Sequence, residues 1–252
     1  MHFLIFIKTD ISFLCTYCTT NTSYKPYTMF IGHFGLSFAA KKAAPKVSLG
    51  FLFIATQFVD ILWPFMLVLN IEKVAIVPGY TKSNALDFLF FPYTHSLLAG
   101  IVWGLVVGLV YWLLKRDKRG ALVVGLCVLS HWFLDLLVHT ADLPLSPFGG
   151  DKFGFGFWNH VAVSLTIETI LFLAGVFIYY GVTKAKTNAG KWGLWSFVVF
   201  LIVFNFSNTF GPPPPAAMTV LSATLIVLMI VIVGLAYWVD SKRVATTEQP
   251  VL

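Results

Sequence analysis

Six apolar runs decide what this chain can fold into. They lie at roughly 48–70, 95–114, 121–139, 161–182, 192–210 and 217–239. Each is close to the ~20 residues that a helix needs to cross about 30 Å of hydrocarbon. Inside lipid, every backbone N–H and C=O must be paired within the protein, so runs of this length cross as helices. The expected fold is all-α: a polytopic transmembrane helix bundle of about six spans. Composition agrees. Charged residues are 11% of the 252 and hydrophobic residues 58%, whereas a soluble domain is about 25% charged. A water-soluble globular enzyme is thereby excluded, and so is a disordered chain.

The basic residues orient the spans. Lys41, Lys42 and Lys46 precede the first run, and Lys115, Arg116, Lys118 and Arg119 follow the second. Lys184, Lys186 and Lys191 follow the fourth, and Lys242 and Arg243 follow the sixth. These twelve fall on one side of the bundle, against Lys73, Lys82 and Lys152 on the other. Cytoplasmic loops are enriched in Lys and Arg. Both termini are therefore expected in the cytoplasm, with loops 71–94 and 140–160 outside. This pattern accounts for the net charge of +6 without a nucleic-acid partner.

Residues 29–240 read as one transmembrane domain and 241–252 as a cytoplasmic tail. Residues 1–28 read as an upstream extension, with Met29 an alternative start, or as a tail. Cys15-x-x-Cys18 has metal-like spacing, but no second pair accompanies it. Gly211-Pro212-Pro213-Pro214-Pro215 cannot continue a helix, because proline lacks the N–H donor, and reads as a stiff turn. Gly100, Gly104 and Gly108 give the spacing of close helix packing.

Ionisable groups inside spans are costly, face the bundle interior and mark function. Asp60, His131, Asp135 and Glu168 are such groups, and His95 opens the second span. His131, Asp135 and His139 are spaced i, i+4, i+8. A helix sets them on one face, about 6 Å apart. A neutral imidazole and a carboxylate presented together suit zinc. Counted from the outer ends of the spans, Asp60 lies about 15 Å deep, His131 about 12, Glu168 about 10, Asp135 about 6 and His95 near zero. All fall in the outer half of the bilayer. His33 joins that level if residues 31–44 form a short re-entrant helix ending at Pro45. His139 and His160 are equally explained as solvated interface residues, and Glu168 as helix–helix glue.

Four segments in order carry a family resemblance: Gly32-His33, Gln57-Phe58-Val59-Asp60, Tyr93-Thr94-His95-Ser96 and Leu129-Ser130-His131-Trp132-Phe133-Leu134-Asp135. Over residues 29–150 the chain resembles the membrane-bound metal-dependent hydrolases typified by the LexA-regulated inner-membrane proteins. The activity of that family is itself inferred from motifs. The last third resembles only a longer subgroup. The resemblance implies a prokaryotic inner-membrane location, a divalent metal such as zinc, and His33, Asp60, His95, His131 and Asp135 as ligands. The family's doubled acid is reduced here to Asp60, and a histidine upstream of Thr94-His95-Ser96 is missing. His139, Asp142 and Glu168 are the groups that could compensate.

Such a site would make the protein a hydrolase, with Glu168, and next Asp142, as general base. Its depth points to a lipid or lipid-linked ester or phosphodiester as substrate. Two other readings stand beside it. An ion- or metal-coupled transporter predicts polar groups strung along the whole crossing, and a non-catalytic scaffold predicts that they scatter.

Overall fold

The computed structural model describes residues 31–210 and 217–246. The extension at 1–28 with Cys15 and Cys18, the start at Met29, the proline run and the end of the tail lie outside the described residues. Nine α-helices are described: α1 (Ile31–Ala43), α2 (Leu49–Thr56), α3 (Phe58–Val68), α4 (Pro92–His95), α5 (Leu97–Lys115), α6 (Lys118–Val138), α7 (Val161–Val182), α8 (Asn188–Phe210) and α9 (Met218–Ser241). Helices α5 to α9 are each long and apolar enough to cross a membrane, and α2 with α3 makes a sixth candidate.

Local chemistry starts and stops these helices. Ser48, Ser96 and Asp117 accept the backbone N–H of Phe51, Ala99 and Gly120, capping α2, α5 and α6. Such a cap satisfies a donor that the first turn leaves unpaired. Between α5 and α6 the turn is tight, with Arg116 in the left-handed region at φ 54°. It sends α6 back along α5. There the small residues act as expected: a Cβ on Gly104 would come 2.7 Å from the Gly125 carbonyl oxygen. Helices α1 and α7 approach even more closely, since a Cβ on Gly175 would lie 1.8 Å from the Gly35 carbonyl oxygen.

The first run was expected as one span and is two helices bent by 53° at Gln57. Sharp kinks arise where a side chain enters the i→i−4 ladder. In an unbroken helix the Thr56 carbonyl would accept from residue 60. Here it accepts from the His131 ring at 2.8 Å. Residues 31–43 do form a short helix, folded back against α2 through the turn at Pro45.

The two ends of the bundle differ sharply. At one, the basic clusters meet. Arg119 donates to the Ala43 carbonyl, and Lys41 pairs with Asp240 at 2.8 Å. Strand β5 (Thr183–Ala185) pairs antiparallel with β6 (Arg243–Ala245). The opposite end carries two hairpins, β1 (Lys73–Ile76) with β2 (Leu86–Phe90) and β3 (Leu143–Pro144) with β4 (Lys152–Phe153). The loops that hold them are joined where Ser83 donates to the Trp158 carbonyl. Trp63, Phe88, Phe91, Trp132, Leu143 and Trp158 form a buried cluster at this end. A second core of Phe34, Phe38, Phe53, Phe172 and Tyr179 joins α1, α2 and α7.

Candidate metal centre

Four helices deliver the polar groups named from the sequence to one place. His33 comes from the first turn of α1, Asp60 from α3, His95 from the end of α4, and His131 and Asp135 from one face of α6. Asp135 is the hub. Its Oδ1 lies 3.4 Å from His33 Nε2. Its Oδ2 lies 3.2 Å from His131 Nε2, 3.9 Å from His95 Nε2 and 3.8 Å from His139 Nε2. Asp60 Oδ1 lies 3.2 Å from His95 Nε2 and 3.6 Å from His131 Nε2. Two triads result, His33/His131/Asp135 and Asp60/His95/His131, each with its ligand atoms within 4.8 Å of one another.

The orientation of the rings is as informative as their proximity. His131 Nδ1 faces the Thr56 carbonyl, which can only accept, so Nδ1 carries the proton. His139 Nδ1 lies 2.9 Å from Asp142 Oδ1, likewise an acceptor. His95 Nδ1 lies 2.6 Å from the Thr94 hydroxyl. That hydroxyl donates its one proton to Glu72 Oε2 at 2.6 Å, so it accepts from His95. In its neutral form, each of these three rings turns an Nε2 lone pair toward the carboxylates. Metal-binding histidines are held in this way, with the second ring N–H on a carbonyl or carboxylate that fixes tautomer and direction. The Nε2 atoms of His33 and His131 are buried without a hydrogen-bond partner among the described residues. Nitrogen lone pairs and carboxylate oxygens facing one point are the donor set that zinc takes.

The cluster is closed on most sides. His33, His95, His131, Asp135 and His139 are all buried, whereas the Asp60 side chain is 28% exposed. The cluster therefore opens beside Asp60. Apolar walls surround it: Trp63 and Phe91 pack on the His95 ring, and Phe88 and Trp158 on that of His139.

The remaining candidates sit one step away. Glu168 accepts from the backbone N–H groups of Ile31 and Gly32, so a carboxylate of α7 caps the start of α1. Its Oε2 has no hydrogen-bond partner among the described residues, and neither has Ser164 Oγ. Both line a cavity shared with His33, which has room for about one water molecule. Asp142 holds His139, which is buried and is not a solvated interface residue. His160 is exposed and away from the cluster.

Three residues not picked out from the sequence belong to the site's surroundings. Glu72 is buried and accepts from the Tyr93 and Thr94 N–H groups at 2.8 and 2.9 Å, fixing the turn that carries His95. No local motif marks it, since its partners lie more than twenty residues away and are mostly backbone. Ser164 had one available signal, its i−4 spacing from Glu168. Gln57, at the kink, is fully buried with both amide atoms unpartnered among the described residues.

Fold and site together define a polytopic membrane protein with a buried histidine–aspartate cluster. A family model described as YdjM inner membrane protein matches residues 83–211, just over half of the chain, and the chain belongs to that family. It is accordingly an integral protein of the inner membrane. The match spans His95, His131, Asp135, His139, Asp142 and Glu168, and leaves His33, Asp60 and Glu72 outside it. No curated protein and no solved structure matches the chain.

Proposed function

We propose that this protein is a membrane-embedded, metal-dependent hydrolase that acts on a lipid or lipid-linked ester or phosphodiester. The observation that carries the reading is the shared aim of the histidine Nε2 atoms at Asp60 and Asp135, each ring of His95, His131 and His139 held at Nδ1. A non-catalytic scaffold has no use for that arrangement. A carrier needs polar groups strung along the crossing, whereas these gather at one level.

In this reading His33, His95, His131, Asp135 and Asp60 hold a divalent ion, with zinc the best match to imidazole and carboxylate donors. His139 stands next to them as a further donor. When bound, such an ion supplies Lewis acidity and lowers the pKa of a bound water toward ~7. The chain's own groups do the rest. Glu168 Oε2, free of hydrogen bonds among the described residues and lining the cavity beside His33, would serve as the proton acceptor for the attacking water. Asp142 is the second choice, and its hydrogen bond to His139 makes it a positioning group first. The aromatic walls exclude bulk water, which strengthens electrostatic interactions inside the site. The opening beside Asp60 lies within a spanning segment, so the substrate meets it from the bilayer. If the basic end is cytoplasmic, as its lysines and arginines indicate, that opening belongs to the outer half of the membrane.

The test is metal content in purified protein, wild type against His131→Ala, followed by hydrolysis assays on phospholipids in nanodiscs. Wild type should carry at least one zinc per chain and His131→Ala essentially none. Equal, negligible zinc in both overturns the reading.

A further inference from the structure

We infer that the β3–β4 hairpin is an interfacial lip whose aromatic tip inserts into the phospholipid headgroup region beside the site. The base of this hairpin is fixed on the end of α6 that carries His139. Phe155 N–H donates to the Leu136 carbonyl at 2.8 Å, and Gly156 N–H to the His139 carbonyl at 2.7 Å. The Trp132 indole donates to the Pro144 carbonyl. Gly154 lies so close to Thr140 that a Cβ there would come 1.7 Å from its carbonyl oxygen.

The height of the hairpin is set by a different contact. Leu98 N–H, in the first turn of α5, donates to the Leu145 carbonyl at 3.0 Å. Below that point α5 presents Leu98, Ile101, Val102 and Leu105, all exposed, as a continuous apolar face. In a spanning helix this is the face that lipid covers. Leu145 therefore stands at its upper edge. Phe148 follows three residues later, so its backbone lies within about 10 Å of Leu145. The interfacial layer on each side of the hydrocarbon is about 5–8 Å deep. The tip cannot leave that neighbourhood.

Its composition suits lipid and not water. Phe148 is 91% exposed and Phe155 63%, with Phe153 and Leu145 exposed beside them. Contiguous exposed apolar surface marks an interaction site. Lys152, also exposed, sits next to Phe153 and supplies a cation for lipid phosphate. Gly149 and Gly150 adopt φ of 106° and 111°, a left-handed conformation that lets the chain reverse just after Phe148. Leu145 of this apolar group is hydrogen-bonded to Leu98 of the exposed apolar face of α5, which is what selects the bilayer over a protein partner. Because β3 begins directly after Asp142, a tip held in the headgroups fixes the His139–Asp142 corner at the membrane surface.

The experiment is depth measurement by spin labelling of the full chain in phospholipid nanodiscs. Cys15, Cys18 and Cys127 are replaced by serine, serine and alanine, and Phe148→Cys, Phe155→Cys and Asp151→Cys are labelled one at a time. Leu105→Cys is the lipid reference and Lys118→Cys the water reference. Collision with oxygen reports lipid, and collision with a water-soluble nickel chelate reports solvent. The ratio at 148 and 155 should rise above that of Lys118 and stay below that of the deeper Leu105 reference, while 151 stays at that of Lys118. A ratio at 148 and 155 equal to the Lys118 reference overturns the inference. So does protection of both positions from both reagents, which would mean that a protein surface or a second copy covers the tip. None of these outcomes depends on metal or hydrolysis, so the lip and the proposed activity stand or fall separately.

Discussion

Removing the Asp240 carboxylate should loosen the basic end of the bundle by several kcal/mol. Asp240, at the end of α9, is bound from three elements. Lys41 Nζ donates to Oδ2 at 2.8 Å, Leu49 N–H to the same oxygen at 3.0 Å, and the Tyr179 hydroxyl to Oδ1 at 2.8 Å. The lysine side chain is only 7% exposed and the aspartate 12%. Asp240→Ala strands a buried ammonium that keeps its hydrogen bond to the Val47 carbonyl but loses its counter-charge. Breaking a buried ion pair from one side costs about 3–5 kcal/mol, because the surviving charge is left uncompensated. The lost bonds to Leu49 and Tyr179 push the cost toward the upper end of that range. Replacing both partners by apolar residues of similar size is, by contrast, often neutral. The assay is thermal or denaturant unfolding in one detergent, comparing wild type, Asp240→Ala, the Lys41→Met/Asp240→Leu pair and the exposed control Lys118→Ala. Asp240→Ala should fall well below the control, and the double variant should recover most of the loss. A single variant no less stable than Lys118→Ala would refute the argument, as would a double variant no better than the single.

Two further outcomes follow from the packing and from the rings. Gly175→Ala forces α1 and α7 apart by about 1.6 Å, the gap between 1.8 Å and an ordinary 3.4 Å contact. That displaces His33 of α1 from the proposed ligand set, so on the zinc reading affinity measured by competition should fall, while Gly181→Ala, whose Cβ meets nothing within 4 Å, leaves it unchanged. Thr94→Val removes the hydroxyl that links His95 to Glu72, and on the proposed zinc reading should weaken metal binding by about 10–100-fold, the usual effect of losing an outer-shell partner. Thr94→Ser should keep wild-type affinity, and equal affinity in all three proteins would show that His95 is not a ligand.

Much of the architecture is legible in the order of residues alone. The run at 161–182 coincides with α7, and the others differ from their helices by a few residues. Lipid imposes one rule on all of them, and a rule that simple survives without tertiary information. The i, i+4, i+8 spacing places His131, Asp135 and His139 on one face, since helix geometry alone decides that. The kink at Gln57 is not legible in this way. It depends on the Thr56 carbonyl meeting a ring from α6, seventy-five residues away. Glu72 escapes a sequence reading for the same reason, because its partners Tyr93 and Thr94 lie more than twenty residues away.

The sequence by itself determined the solvent, the apolar runs that become five or six candidate spans, the segregation of basic loops to one end, and which few ionisable groups lie within those runs. These are properties of composition and period, and each segment carries its own share. Tertiary structure decided everything that requires two segments at once. It set His33 of a short helix against Asp135, chose the ring nitrogens that face inward, and left Asp60 as the opening. Those outcomes rest on backbone contacts such as Gly35 against Gly175 and on hydrogen bonds across the bundle, whose partners no local pattern announces.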